Sequence, residues 1–459
     1  MRAADMTQAN VFKSEGDVNL SPRRRAWAAR NINRETQELL DADARYFLHQ
    51  ALSTPCLNVL SGCDGAGITD LQGRRALDFH GNCVHQAGFG NPKVIAAVVK
   101  QMQELSFCPR RYTNRPAIAL AKKLVELAPG DLQRVLFAPS GAVAISIALQ
   151  LARAATGRHK TVSLWDSFHG ATLDAISVGG EAFFRRGNGP LLPGCEHVPP
   201  PDPRHCPFAC GNACNLKCAD YIEYVLEKEG DVAAVIGETI RAAPFIPPPD
   251  YWKKVRAACD RHGALLILDE IPHCLGRTGR MFTCEHYDVV PDILVLGKGL
   301  GGGIMPLAGL IAREHLNVAG DRALGHFTHE KSPVAAAAAL ATLQFIEEEN
   351  ILHHVRTLGE KTLQRLREMK DHHPLIGDVR GLGLMLGVEL TRDRTTMQRA
   401  EDEAERVMYA CLEAGLNFKV TMGNILTLTP PLTITDAEMD TAMAILDKAI
   451  GEVESQPAL

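Results

Sequence analysis

Apolar residues fall in two rhythms along this chain. Through its middle they come as short unbroken runs: TVSLW at 161–165, VAAVIGE at 232–238, ALLILDE at 264–270, DILVLGK at 292–298 and LAGLIAR at 307–313. Runs of that length, without polar alternation, suit strands buried on both faces. The stretches between them carry helical spacing, so the pattern predicts an α/β domain with a mostly parallel sheet. Ahead of it, SGCDGAGITDLQGRRALDF mixes short apolar runs with glycine turns and predicts a small antiparallel meander within 56–80. From about 335 the rhythm changes. Long helical patterns over 332–349 and 351–370 precede GLGLMLGVEL, a helix near 400–414, the strand-like NILTLTP and a last helix over 436–452. These predict a second, smaller α+β domain. The polar first 40 or so residues, with Arg23-Arg24-Arg25, read as a flexible arm with a solvated basic face. The expected organisation is an N-terminal arm and small-domain segment over 1–80, a large domain over 81–331, and a C-terminal small domain over 332–459.

Composition narrows the function classes. A chain of 459 residues holds one large core and a satellite domain. A net charge of −5 leaves no electrostatic footprint for nucleic acid or an anionic membrane. No apolar stretch approaches the roughly 18 residues of a membrane span, and the polar start MRAADMTQANVFKSEGD lacks the apolar segment of a secretory signal. A cytoplasmic protein is expected. The 13 cysteines are odd in number and not spaced as a disulfide scaffold, which suits reduced thiols. Cys206, Cys210, Cys214 and Cys218 recur every fourth residue in HCPFACGNACNLKCADY. Four thiolates can bind zinc, but structural zinc sites group their cysteines two and two, so packed thiols and no metal are expected.

Two of the predicted strands end in residues with chemistry. ALLILDE delivers Asp269, and DILVLGKGLGGG delivers Lys298. Open α/β sheets bind ligands at the carboxyl ends of their strands. A lysine there is readily deprotonated, as a Schiff-base amine must be, and the glycines after it let a cofactor approach. An aspartate on the neighbouring strand can pair with a protonated pyridine nitrogen and keep a ring electron-poor. Upstream, FAPSGAVAISIALQLAR reads as strand, turn and helix, with Ser140, Gly141 and Ala142 where a helix start can hold a phosphate. WDSFHGAT places Phe168 and His169 after another strand, suited to stacking on a ring. Taken singly these features are common in folded proteins. Their order, with DE-x-x-x-x-x-GRTG at 269–279 ahead of KGLGGG, is far more specific.

On DEIPHCLGRTGRMF, PDILVLGKGLGGGIMPLAGL, SFHGATLDAISVGG, IGDVRGLGLMLGVEL and the late PPLTIT, the chain from about 45 to 452 resembles the class III (ω-amino acid) aminotransferases. That resemblance implies a fold-type I pyridoxal 5'-phosphate (PLP) fold, with a large domain built on a mostly parallel, seven-stranded sheet and a smaller α+β domain. It implies a Schiff base on Lys298, Asp269 at the pyridine nitrogen, and Ile271 and Phe168 on the two ring faces. Gly141 and Ala142 would hold the phosphate with Thr328 of a partner subunit, and Ser140, His169 and Glu238 would lie beside the cofactor. A homodimer with shared active sites follows.

Departures from the family pattern bear on the substrate. Members acting on α-carboxylates usually carry an arginine just before the PPL segment, where this chain has Thr427. A hydroxyl cannot replace a bidentate guanidinium, which disfavours a simple α-amino acid. The usual glutamine of DE-x-Q is Pro272, Ala142 and Val143 replace Ser/Thr and Glu, and after Glu238 stands Thr239-Ile240-Arg241. With HQAGFG, FCPRRYTN and FTHEKSP these changes resemble a subgroup concerned with aminophosphonate breakdown. The expected reaction is loss of ammonia, through the adjacent hydroxyl, from a small amine such as 1-hydroxy-2-aminoethylphosphonate. Arg241 is the expected phosphonate cation, with Arg110 or Arg111 next, Arg241 having the alternative of pairing with a nearby acid. The competing expectation is transfer of an amino group to a keto acid.

Overall fold

The five unbroken apolar runs are neighbours in one seven-stranded sheet. In chain order its strands are β1 (Leu132–Ala138), β2 (Lys160–Leu164), β3 (Cys195–Val198), β4 (Val232–Glu238), β5 (Leu265–Asp269), β6 (Ile293–Leu296) and β7 (Ala308–Arg313). They lie side by side as β1-β7-β6-β5-β4-β2-β3. Only β7 runs against its two neighbours; the other pairings are parallel. Continuous hydrophobicity follows from position, since every residue of β4 and β6 is buried. Against this sheet lies α1 (Gly141–Thr156), whose Ile145, Ala148 and Ala152 share one apolar cluster with Ile236, Ile267 and Ile293. The register sets Glu238 beside Asp269 and Asp269 beside Val295, so the carboxyl ends of β4, β5 and β6 are level.

The computed structural model describes residues 21–210, 214–242 and 244–455. The sheet belongs to a unit made of residues 82–87 and 91–354. This boundary differs from the expected one at 331. The helix α2 (Pro333–Glu348) belongs to the large unit, because its Val334, Ala338 and Ala341 pack with Val94 and Val98 of the helix Pro92–Glu104. PVAAAAALATLQFIEE is small and apolar on nearly every side, so its pattern announces burial without naming the partner.

Among the described residues, the other unit comprises 21–81, 88–90 and 355–455. It contains the expected meander, Leu60–Asp64, Gly67–Asp70 and Arg75–Asp78, joined in parallel by Leu416–Asn417. A second antiparallel sheet takes Ile376–Leu382, Met385–Asp393, Ile425–Leu428 and Lys419–Thr421. Residues 22–46 are not an arm but two helices, Pro22–Asn31 and Arg34–Tyr46, capped by Ser21 and Asn33. Trp27 is buried, and Arg23 pairs with Asp402 at 2.5 Å, which takes part of the basic run out of solvent. Residues 1–20 lie outside the described residues.

Candidate active site

Three strand ends converge on the same edge of the sheet. Asp269 closes β5 with its carboxylate 2% exposed. Its Oδ2 accepts from Nδ1 of the buried His169 at 2.8 Å, and its Oδ1 accepts from the Ile271 amide at 3.0 Å. A carboxylate only accepts, so the imidazole carries its proton on Nδ1. His169 thus reaches the centre of the site through Asp269. Lys298, two residues past β6, opens a tight turn with φ +47° and an exposed side chain. A left-handed backbone at a non-glycine residue costs about 1–3 kcal/mol and is concentrated at functional sites.

Glycine contacts draw the remaining pieces together. A Cβ on Gly141 would stand 2.8 Å from Ile271 Cδ1, and one on Gly297 would stand 3.2 Å from Ile271 Cγ2. Ile271 therefore lies between the start of α1 and the residue preceding Lys298. Gly170, at φ +125°, rests against Ala142, which brings the loop of Phe168 and His169 onto the same helix start. Ser140 caps α1, its hydroxyl facing the Val143 amide at 3.5 Å. The Gly141 and Ala142 amides, in the first turn, have no intrahelical acceptor. Phe168 packs on Phe184 with ring centres 4.3 Å apart and donates its amide to Glu238 at 3.2 Å.

The candidate substrate residues divide. Arg241 lies between two buried carboxylates, paired with Glu238 at 3.1 Å and in close contact with Glu181. Arg110 and Arg111 are exposed, and neither has a carboxylate within 4.0 Å among the described residues. The Arg110 guanidinium instead lies against the ring of His326, two residues before the exposed Thr328. Thr427, in the other unit, is wholly buried and shares a 2.7 Å hydrogen bond with Thr421. Of the four spaced cysteines, Cys206, Cys210 and Cys214 are half-buried and Cys218 is buried, all as free thiols. Burial, with Cys214 and Cys206 nearby, pushes the Cys218 thiol up to about 12. Among the described residues no three His, Cys, Asp or Glu side chains converge as a metal-ligand set.

Two buried groups beside the site have no signature in the sequence pattern. His273 is fully buried, and burial pushes its imidazole down to about 3, with Lys298 adding to the effect and Asp269 opposing it. Its Nδ1 meets the Thr283 hydroxyl at 2.9 Å. Glu270 is also buried and is pushed up to about 7 by burial, despite accepting from Thr239 and from the Thr283 and Cys284 amides. The position of His273 directly after Pro272, where the family pattern already departs, is the only trace the sequence gives of it.

The family model for class III aminotransferases matches residues 50–450. The chain belongs to the class III aminotransferase family. Its cofactor is PLP, and the residues fit it: a buried carboxylate fixed by two donors, an exposed amine beyond the next strand, and a helix start whose glycine leaves room only for Ile271. An aminotransferase structure from Bacillus anthracis superposes with a TM-score of 0.85 at 32% identity, covering 92% of this chain and 99% of that one. The PLP-bound amine transaminase of an uncultivated Pseudomonas species gives 0.82 at 30% identity, covering 89% and 98%. Among characterised relatives, the (R)-1-hydroxy-2-aminoethylphosphonate ammonia-lyase of Vibrio splendidus is 48% identical over 97% of this chain and 96% of its own length. The leucine/methionine racemase of Thermococcus litoralis is 37% identical over 91% and 96%. The class III chain has no helix, among the described residues, long and apolar enough to cross a membrane.

Proposed function

We propose that this class III enzyme is an ammonia-lyase acting on a small hydroxylated aminophosphonate, with 1-hydroxy-2-aminoethylphosphonate as the model substrate and phosphonoacetaldehyde and ammonia as products. The observation that carries the reading is the 48% identity, over nearly the whole chain, to a relative of that activity. Thr427 supports it: where a keto acid's carboxylate would want an arginine fork, the chain has a buried hydroxyl already bonded to Thr421.

Lys298 would hold PLP covalently, Asp269 would face the pyridine nitrogen, and Ile271 and Phe168 would cover the two ring faces. The Gly141 and Ala142 amides, with Ser140 and a partner's Thr328, would hold the phosphate in a homodimer. When bound, PLP withdraws electrons through the substrate nitrogen and acidifies the neighbouring C–H. Lys298, with its amine free, would take the proton from the amine-bearing carbon. Asp269, oriented by His169 and the Ile271 amide, would accept from that ring nitrogen. Glu238 fixes the Phe168 backbone, so that the ring stays at its face. The hydroxyl on the next carbon leaves with a proton as water, and the released enamine takes up water to give aldehyde and ammonia. Elimination would leave no amino group behind, so Lys298 would recover its link with no second substrate required.

As the phosphonate anchor we take Arg110 in preference to Arg241. A third anion beside Arg241 would have to compete with Glu181 and Glu238, which already pair with it. The deciding experiment is ammonia release from the aminophosphonate by purified holoenzyme with no keto acid present. Turnover that depends on pyruvate or 2-oxoglutarate, without free ammonia, would establish the transaminase reading instead.

A further inference from the structure

We propose that Arg110 works across the subunit boundary, anchoring the phosphonate of the substrate held at the partner's Lys298. The inference rests on the reading above and adds which chain supplies the cation. Along the chain on both sides of Arg110, large apolar residues are exposed. Ile95, Val99 and Met102 are exposed at spacings of four and three on the helix Pro92–Glu104, and Phe107, Tyr112 and Ile118 continue the exposure along the following segment. Large exposed apolar faces mark surfaces that become covered. Arginines covered together with such a face lose water and need an anion in exchange. Arg110 and Arg111 have no carboxylate within 4.0 Å among the described residues of their own chain, so that anion must arrive from elsewhere.

Geometry indicates where. The Arg110 guanidinium lies on the ring of His326, the Phe107 ring meets the His329 ring edge-on at 5.4 Å, and Asn114 Nδ2 donates to the Lys331 carbonyl at 3.0 Å. Segments 107–114 and 326–331 therefore form one surface, and Thr328 stands within it. If Thr328 reaches a partner's cofactor phosphate, Arg110 goes with it to the same mouth. The phosphonate is a dianion on a short carbon chain, and a planar fork beside an imidazole matches it. Arg241, three residues past β4 in the same chain, is held by two acids.

Mixed dimers test the assignment. A Lys298→Ala chain and an Arg110→Ala chain, carrying different tags, are co-expressed and the mixed holoenzyme is isolated. Its one working site combines the lysine of the Arg110→Ala chain with the intact Arg110 of the other. The Arg110→Ala homodimer should show KM for 1-hydroxy-2-aminoethylphosphonate raised about tenfold or more with kcat nearly kept, as for loss of one charge-assisted contact. The mixed dimer should return to the wild-type KM at half the turnover per dimer, and Arg110→Lys should fall between. A mixed-dimer KM as high as that of the Arg110→Ala homodimer would mean that Arg110 serves its own chain. An unaltered homodimer KM would mean that it anchors nothing; either result overturns the proposal. Failure of the underlying reading looks different, because then the wild-type enzyme itself releases no ammonia from the phosphonate, and both fall together.

Discussion

Arg241 and Arg110 answer to the same description in the sequence, a cation near a segment with chemistry, yet they stand in opposite physical situations. Arg241 is about one-eighth exposed and faces two carboxylates that are themselves buried. Arg110 is exposed, lies on an imidazole, and has no acid of its own chain within reach among the described residues. The first is committed to cancelling charge inside the fold. The second is available to an anion from outside. What separates them is how many anions each already neutralises, not proximity to the strand ends.

The strongest perturbation fixes the chemical end of that comparison. Lys298→Ala should bind PLP without a covalent link and lose turnover by several orders of magnitude, since base and Schiff-base partner vanish together. Borohydride reduction of the wild-type protein followed by peptide mapping should place the adduct on Lys298. An adduct on another lysine would remove the site from the ends of β5 and β6.

Substituting the two arginines breaks or sharpens the comparison directly. Arg241→Ala leaves Glu181 and Glu238 buried without their shared cation, and should cost about 3–5 kcal/mol in denaturant unfolding of the holoenzyme. Arg110→Ala should move stability by no more than about 0.5 kcal/mol, as an exposed substitution, while changing KM. A stable Arg241→Ala enzyme with a strongly raised phosphonate KM would exchange the two roles.

The buried end of the comparison also carries a pH signature. His273 is held neutral well below its ordinary value by burial, so at pH above about 6.5 it is neutral folded or unfolded and costs nothing. As pH falls from there towards about 3, the unfolded chain takes up a proton that the folded one refuses, and stability is lost. Glu270 has the opposite sign: its value is raised to about 7, so its contribution is present below about 4.5 and is lost as pH rises through 7. His273→Gln should therefore recover roughly 2 kcal/mol at pH 5 relative to its own pH 8 difference from wild type. Parallel stability–pH curves for the two proteins would show that His273 titrates in the folded state.

Much of the fold was legible because burial on both faces leaves an unbroken apolar run, and β4, β5, β6 and β7 each have one. The placement of Asp269 and Lys298 at adjoining strand ends was legible because ALLILDE and DILVLGK each run unbroken up to them. The helix Pro333–Glu348 was placed in the other domain because alanines on every side do not say what they pack against. The first 40 or so residues read as an arm because polar composition hides the few residues that dock the helices after Ser21, Trp27 above all. The Arg241–Glu181 pair joins residues 60 positions apart, and only the packing of the loop after β2 against the loop after β4 brings them together. His273 lacks a pattern for a similar reason, since a lone histidine in a loop carries no sign of being sealed from water.

The smallest effect belongs to Thr427, and it tests whether an absent arginine has been replaced by anything that touches substrate. In the strand Ile425–Leu428 its side chain is wholly buried and bonded to Thr421 Oγ1 at 2.7 Å, across a pair of antiparallel strands. Valine has nearly the same shape, so Thr427→Val removes one hydrogen bond and leaves the Thr421 hydroxyl buried without that partner. The cost should be about 1–2 kcal/mol of stability in unfolding experiments. KM for the phosphonate should remain within about twofold, because a hydroxyl engaged within the sheet has no part in anion binding. Position 427 would then differ from the family arginine by having no substrate role at all, which is what an enzyme free of a keto acid half-reaction requires. A KM raised about tenfold by the valine, at unchanged stability, would instead mean that Thr427 leaves Thr421 to meet the substrate, and the small unit would gain a specificity residue.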